Sequence, residues 1–502
     1  MSATAAPSFE LDLLDAPLEM TADNGRGAPP LQRQLQHRLR QAILTGRLAP
    51  GTRLPASRAL AESLGISRNT VTIAYDHLAA EGYVLADRQG TRVAPLARRI
   101  QAEAGAGIKG EAAPAAALPA VSTRLAGIVP SAPRNDIHLA LRPGTPALNH
   151  FPQAAWRGAL ERAVRGSGAA ALGYGDPAGE PALRTAIARY LGLARGVRCE
   201  PARIVITEGA QEALTLCVKL LSNPGETAWV EDPGYRGAKT AFALGDLRMV
   251  PVRVGPEGLA ASAEDWRTRP PRLIYTTPSH QYPTGAVLSA ARRLELIALA
   301  RSHGAWIIED DYDSEFRHHG EPIAAMQGLV DAAPVLYVGT FSKTMFPSLR
   351  IGFLVLPQAL APVVGPALGE LLRGGHRHEQ LALADFIESG QFTRHLNRMR
   401  RLYRERQKAL REALARHFDM PHSLEGGHCG LHLTLRLPEA YPDRAIVASA
   451  APHGIAPAAL SSFVLCPQAR DNGLVLGYGN TSAERFDGIA AKLAQLTHAA
   501  RR

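Results

Sequence analysis

Lys343 lies in the stretch GTFSKTMFPSLRIG, residues 339–352, and it is one of six lysines beside fifty arginines in a chain of 502 residues. A lysine amine can attack an aldehyde carbon and stay attached as a Schiff base. A cofactor held in that way asks for more. It needs an acid against its ring nitrogen, a donor to its ring hydroxyl, an aromatic face and a cup for a phosphate. The sequence offers a residue type for each. Asp310, in WIIEDDYD, ends a strand-like run, and Tyr312 follows two residues on. Tyr235, in EDPGY, follows another such run. Gly209, Ala210 and Gln211 come after IVITE and open a helical segment, whose first N–H groups and dipole favour phosphate. Thr340, Ser342 and Arg350 flank the lysine with two hydroxyls and a guanidinium suited to phosphate oxygens.

Pyridoxal phosphate is the aldehyde cofactor whose chemistry asks for this set. The elements that must position it are strands whose C-terminal ends meet at one edge of a sheet. From about residue 136 onward such elements are legible. The apolar runs IVITEG, TAWVED, RLIYTT, AWIIEDD, VLYVGT and IGFLVL alternate with amphipathic segments such as EALTLCVKLL and ARRLELIALARSHG. This predicts an α/β main domain with a mostly parallel, helix-covered sheet. FTRHLNRMRRLYRERQKALREALARH predicts a long charged helix, and GLHLTLRL and GLVLGYG the strands of a small α+β part that closes the chain. Ahead of this domain, residues 97–135 are rich in Ala, Gly and Pro and read as a linker, with a helical start at LARRIQAEA.

The front of the chain has a different character. Residues 1–25 hold five acids and no Lys or Arg, whereas residues 26–100 hold twelve Arg against four acids, a net +8. A basic module at residues 28–96 therefore reads as a polyanion binder. In it, Leu31, Leu35, Leu39, Ile43 and Leu44 recur at helical spacing up to Gly46. SRALAESLG predicts a second helix, with Ser57 as N-cap and Gly65 at its end. A third helix opens at Ser67, buries Val71, Ala74, Tyr75 and Leu78, and turns Asn69, Thr72 and Ile73 outward. Two short helices joined by a tight turn make a helix-turn-helix, with Ser67, Arg68, Asn69 and Thr70 placed to meet base edges and phosphates. YVLADRQGTRVAP then predicts a hairpin wing tipped by Arg88, Gln89, Gly90 and Thr91.

No run of about 18 uncharged apolar residues occurs, so no membrane span is expected. The acidic start MSATAAPSFELDLLD is unlike a signal peptide. Cys199, Cys217, Cys429 and Cys466 lie far apart with no CxxC or Cys/His cluster. No metal site and a cytoplasmic location are therefore expected.

LPASRALAESLGISRNTVTIAYDHLAAEGYV closely resembles the GntR-type winged helix. That resemblance implies contacts with operator DNA from Arg58, Arg68, Thr70 and Thr72 of the two helices and from Arg88 of the wing. The order GAQ, PGY, DDY, TFSK and Arg350, within residues 145–495, resembles fold-type I pyridoxal-phosphate enzymes of the aminotransferase class. YGDPAGEPALRTAIARYL looks like that class's large-domain entry, which implies that Tyr174 reaches the phosphate of a partner subunit in a homodimer. The two modules joined by a linker resemble the MocR/GabR family of transcription regulators, whose phrases EDPGYRGA, TPSHQYPTG, IIEDDYDSEF, GTFSK and PSLRIGFLVLP stand in this chain. What the resemblance implies is a DNA-binding regulator whose aminotransferase-like domain senses pyridoxal phosphate or an amine or amino-acid effector, with low or absent turnover. The alternatives are an active aminotransferase with a fused DNA-binding module, or a DNA-binding protein whose back domain is a dimer scaffold.

Two positions depart from the resemblance. Tyr282 stands where the class usually has an Asn that bonds the ring hydroxyl, with Gln281 or His280 as substitutes. Val475 stands where the family often has an Arg that grips the substrate carboxylate, with Arg470 or Arg236 near enough to compensate. Loss of such a charge-assisted contact costs about 1.5–3 kcal/mol, one to two decades of affinity.

Overall fold

The structure is a computed structural model that describes residues 29–95, 138–318, 323–468 and 471–502, with residues 18, 122–124, 128 and 320 besides. Two units divide the chain, residues 1–120 and 121–502. LARRIQAEA and Arg470 lie outside the described residues, as does all of the 97–135 stretch apart from residues 122–124 and 128.

In the first unit, helices α1 (Leu31–Leu44), α2 (Ser57–Leu64) and α3 (Arg68–Ala80) precede strands β1 (Val84–Asp87) and β2 (Gly90–Val93). Leu35, Leu39, Ile43, Leu60, Val71, Ala74, Leu78, Val84 and Val93 form its core. The expected face of α3 is buried in full, whereas Leu31 and Leu44 are half-buried at the ends of α1. Ser67 caps α3 by accepting the Thr70 N–H at 3.1 Å. The expected cap at Ser57 is not formed. Ala56 occupies the N-cap position without a side-chain bond, and Ser57 is already the first helical residue. Gly65 closes α2 in the left-handed region, φ 64°. The hairpin pairs Asp87 with Gly90, so Arg88 and Gln89 form a two-residue tip, and the Gln89 N–H donates to Asp87 Oδ1 at 2.6 Å.

The second unit is built on an eight-stranded sheet. Its strands are β3 (Ile204–Thr207), β4 (Thr227–Asp232), β5 (Arg248–Gly255), β6 (Gly258–Leu259), β7 (Leu273–Thr276), β8 (Trp306–Asp311), β9 (Val335–Thr340) and β10 (Gly352–Val355), in the order β3-β10-β9-β8-β7-β4-β5-β6. The pairs β5–β4, β4–β7, β7–β8 and β8–β9 are parallel, while β10 runs against both β9 and β3. The C-terminal ends of β3, β4, β7, β8 and β9 therefore share one edge, as ligand sites in such sheets require. Helices α4 (Gln153–Ser167), α5 (Pro181–Arg195), α6 (Ala210–Leu221), α7 (Arg236–Leu244) and α8 (Ala290–Ser302) belong to this part. Val205, Leu214, Val230 and Val338 pack on one side of the sheet, and Trp229, Ile274, Ile297, Ile307 and Val335 on the other. The long charged helix is α9 (Gln391–His417). After it, strands β11 (Ser423–Gly426), β12 (His432–Arg436), β13 (Ala458–Ala459) and β14 (Gly473–Gly477) make an antiparallel sheet in the order β11-β12-β14-β13. Among the described residues no helix is long and apolar enough to cross a membrane.

Candidate functional site

Strand β8 ends in two aspartates, and strand alternation sends them to opposite faces. The second, Asp311, pairs with Arg195 at 2.7 Å and accepts the Tyr337 hydroxyl at 2.6 Å. Burial alone would raise its pKa, but the Arg195 charge, with the Ser314 and Tyr337 hydroxyls, outweighs this and holds it below the usual carboxylate value. Arg195 also donates to Ser279 Oγ at 2.7 Å.

Asp310 has the opposite environment. Its Oδ2 accepts the Tyr275 hydroxyl at 2.7 Å, while Oδ1 is buried with no hydrogen-bond partner. Burial pushes the Asp310 carboxyl up to about 7. The Tyr275 bond pulls it down, and Asp311, Glu231 and Asp313 add to the rise. A buried acceptor without a donor is costly and uncommon. A protonated ring nitrogen is a donor of the right charge to satisfy it.

In the cofactor-free protein, a carboxyl raised in this way contributes stability below its unfolded pKa of about 3.9 and loses that stability as pH rises through about 7. Asp310→Asn is therefore expected to remove that decline. At pH 8 the cofactor-free variant should exceed its parent by on the order of 4 kcal/mol, read from thermal unfolding over a pH series. An unchanged decline in the variant would mean that Asp310 is not its source.

Lys343 follows β9 and donates from Nζ to the Gly144 carbonyl at 2.7 Å. Its positive charge also acts on Asp313. Thr340 donates to Ser342 Oγ at 3.0 Å and accepts the Ser342 N–H at 3.2 Å, so the two hydroxyls meet beside the lysine. Arg350, at a left-handed φ of 52°, donates to the Glu208 carbonyl and lies over Gly209. A Cβ at Gly209 would stand 3.1 Å from Arg350 Nη2, and the residue's φ of 81° suits glycine. Gly209 is the N-cap of α6, so Arg350 meets the free N–H end that begins at Ala210 and Gln211. The Gln211 side chain is turned to the Gly237 carbonyl at 3.0 Å. Tyr235 stacks with Tyr275 at 6.5 Å and meets the Tyr282 ring edge-on at 6.2 Å. Tyr312 donates its hydroxyl to the His280 carbonyl at 3.0 Å. These residues thus gather at one sheet edge and fit a phosphorylated pyridine aldehyde. Tyr174 is not brought among them: it stands 92% exposed.

The loop after β7 answers one question left by the sequence. Glu231, fully buried, accepts from the Thr276 hydroxyl (2.7 Å), the Thr277 N–H (3.0 Å) and hydroxyl (2.7 Å), and Gln281 Nε2 (3.0 Å). Gln281 Nε2 also faces the Pro233 and Tyr282 carbonyls, and its Oε1 accepts from Thr284. Gln281 is a latch for the loop and has no donor left for a ring hydroxyl. His280 differs: Nδ1 bonds Asp313 at 2.9 Å while Nε2 is buried without a partner. His280, Asp313 and His432 have potential ligating atoms within 4.8 Å of one another, but His280 Nδ1 is held by Asp313 and His432 Nε2 by the Pro283 carbonyl at 2.9 Å. Val475 is fully buried on β14, in a small cluster with Leu460 and Phe463 against which Tyr282 packs. Sequence reasoning missed Tyr275, Glu231 and the His280–Asp313 pair. The one signal was the polar density of EDDYD and TPSHQYPT beside apolar strands.

In the first unit, Arg58, Ser67, Arg68, Asn69, Arg88 and Gln89 are exposed, and Thr70, Thr72, Gly90 and Thr91 half-exposed. The Thr72 hydroxyl donates to the Arg68 carbonyl at 3.0 Å, and Thr70 Oγ1 lies 2.8 Å from Ser67 Oγ. The outward face of α3 and the wing tip thus present guanidiniums and amides.

Residues 143–428 match the Aminotransferase class I and II family, and residues 31–93 match the bacterial regulatory proteins of the gntR family. The chain is 40% identical over 466 residues to the probable rhizopine catabolism regulatory protein MocR of Rhizobium meliloti, covering 89% of this chain and 90% of that one. It is 32% identical over 492 residues to the pyridoxine biosynthesis transcriptional regulator PdxR of Corynebacterium glutamicum, covering 96% and 98%. Among solved structures, LysN, the α-aminoadipate aminotransferase of Thermus thermophilus bound to N-(5'-phosphopyridoxyl)-L-leucine, is similar with a TM-score of 0.68 and 27% identity, covering 76% of this chain and 97% of that one. With a gntR-type winged helix in front of a class I and II aminotransferase fold, the chain belongs to the MocR/GabR-type transcription regulators.

Proposed function

We propose that this regulator is a cytoplasmic homodimer that binds pyridoxal phosphate on Lys343 and answers to an amine, an amino acid or the cofactor itself by changing its hold on operator DNA. The observation that carries the reading is the buried, unpartnered Oδ1 of Asp310 at the same sheet edge as Lys343 and Arg350. The modules run from 28 to 96 and from 136 to 502, with 97–135 as the linker. Bound at Lys343, pyridoxal phosphate supplies an electrophilic carbon at which one primary amine can replace another.

The chain's own residues do the rest. Asp310 holds a proton against the ring nitrogen. Tyr235 covers a ring face, with Tyr275 behind it. Tyr312, whose hydroxyl donates to the His280 carbonyl, reaches the ring oxygen by turning that O–H away from it. Arg350, Thr340, Ser342 and the N–H groups of Gly209, Ala210 and Gln211 take the phosphate. The exposed Tyr174 is free to complete that cup in the other subunit. An effector shifts the DNA-binding state only through different affinity for the two states, so amine exchange without turnover suffices.

The second reading, a working aminotransferase, draws on the likeness to LysN. Steady-state assays with amino donors and oxo-acids separate the two. A rate of about 1–1000 per second would replace the regulator-only reading.

On the DNA side, Ser67, Arg68, Asn69, Thr70 and Thr72 with Arg58 meet operator DNA from the helices, and Arg88, Gln89, Gly90 and Thr91 from the wing. Arg68→Ala is expected to weaken specific operator binding by about 1–3 kcal/mol and to leave the cofactor's absorbance intact, as measured by fluorescence anisotropy and spectroscopy. Log affinity should fall linearly with log salt, with a slope of several units, about −0.9 per phosphate contact. A flat salt response would remove the phosphate contacts from the account.

A further inference from the structure

The wall that the C-terminal sheet turns toward Lys343's neighbours is apolar. Val475 on β14, with Leu460 and Phe463, makes a cluster of its own, and Tyr282 packs on it. The Tyr282 ring meets Phe463 at 5.2 Å, and on its other sides meets Tyr235 at 6.2 Å and Tyr312 at 5.9 Å. The cluster thus stands one ring away from both aromatic residues of the proposed cofactor site.

Most polar groups around this wall are already engaged, His280 Nε2 being the exception. The Thr434 hydroxyl, beside Val475 in the sheet, donates to the Pro283 carbonyl at 2.5 Å. His432 gives its Nε2–H to the same carbonyl, and burial keeps its ring neutral. Lys239, the cation behind Phe463, donates to the Phe463 carbonyl at 2.5 Å and pairs with Asp232 at 3.5 Å. Arg253 is paired with Asp232 and Asp471. A carboxylate set against this wall would leave water and find no free donor among the described residues that form it, which is strongly unfavourable. An uncharged carbon skeleton would gain contact area instead.

We propose that the effector answered at Lys343 is a primary amine with no carboxylate on its amine-bearing carbon, selected by Val475, Phe463 and Tyr282. The inference rests on the reading of Lys343 as the amine-exchanging site. Among the described residues, a further cation with influence here is Arg236, in the first turn of α7, whose charge acts on Tyr282; Arg470 lies outside the described residues. Arg236 and Arg470 are the positions at which a carboxylate clamp would arise if the proposal were wrong.

The test uses full-length protein loaded with pyridoxal phosphate and a matched pair of probes, n-butylamine and L-norvaline, which differ by the carboxylate. Affinity is read by calorimetry and by the visible absorbance. Hydroxylamine, a small nucleophile that needs no pocket, is the control for the cofactor reading. The expected result is a preference for n-butylamine of about ten-fold or more. Val475→Arg should reverse it, and Phe463→Ala should weaken n-butylamine several-fold while leaving hydroxylamine unchanged. Equal or tighter binding of L-norvaline by the parent protein overturns the proposal without any variant, and its loss in Arg236→Ala would place the clamp there. If hydroxylamine reacts and n-butylamine fails to bind, the effector class is wrong and the cofactor reading stands. If hydroxylamine leaves the absorbance unchanged, the cofactor reading fails, and this inference with it.

Discussion

Lys343→Ala is expected to abolish the imine absorbance that the protein acquires with pyridoxal phosphate, leaving at saturating cofactor only the absorbance of the unlinked aldehyde. The chain has six lysines, and among the described ones Lys343 is the one that follows β9, at the sheet edge that Asp310 also ends on. Lys239 is tied to Asp232 and the Phe463 carbonyl, and burial lowers its pKa. The substitution removes the hydrogen bond to the Gly144 carbonyl, worth about 0.5–1.5 kcal/mol, so the cofactor-free variant should remain folded. Loss of the covalent link should leave a weaker, non-covalent complex held by Arg350 and the helix N-terminus. Lys343→Arg should behave in the same way, because a guanidinium keeps the charge without the nucleophile. A band of normal intensity in either variant would show that the amine is supplied elsewhere.

Arg195→Ala is expected to destabilise the protein by about 3–5 kcal/mol, the range for stripping one partner from a buried ion pair. Arg195 and Asp311 are 4% and 3% exposed at the side chain. Without the guanidinium, Asp311 keeps the Tyr337 hydroxyl but no counter-charge. Asp311 sits below its usual pKa, so its contribution is present above the unfolded value and is lost as pH falls through the folded one. The deficit should therefore be largest at neutral pH and shrink in acid. The double variant Arg195→Met, Asp311→Asn should recover much of the loss, because neither charge is then buried alone. Calorimetry of the parent, Arg195→Met, Asp311→Asn and the double variant over pH tests this, and additive losses in the double variant would contradict the pairing.

Much of this site was legible because its residues sit where a strand pattern stops: Asp310 after WIIE, Lys343 after VLYVGT, Gly209 after IVITE. Local pattern fixes a strand end, and a strand end fixes which edge a side chain serves. Tyr275 was not legible for the converse reason. It lies within an apolar run, and its role depends on β8 lying beside β7, a long-range pairing. Gln281 was misjudged as a free donor because its acceptors, Glu231 and the Pro233 carbonyl, come from β4 and the turn after it. Strand β5 was missed because Pro251 interrupts RMVPVRVG. The structure tolerates it because β5 pairs fully with β4, but with β6 only at Val254 and Gly255, which leaves an edge where a missing N–H does little harm. The Ser57 cap failed by one position, since nothing local distinguishes Ala56 from Ser57 after the proline.

The two aspartates at the end of β8 also bear on how this protein can change. One is costly to the empty fold and the other supports it. A library sorted by heat resistance without cofactor would drift toward Asn at 310 and stay fixed at 311, gaining stability while erasing the ligand response. Two neighbours of the same residue type would then record, in their substitution patterns, whether a descendant had been kept for its shape or for its chemistry.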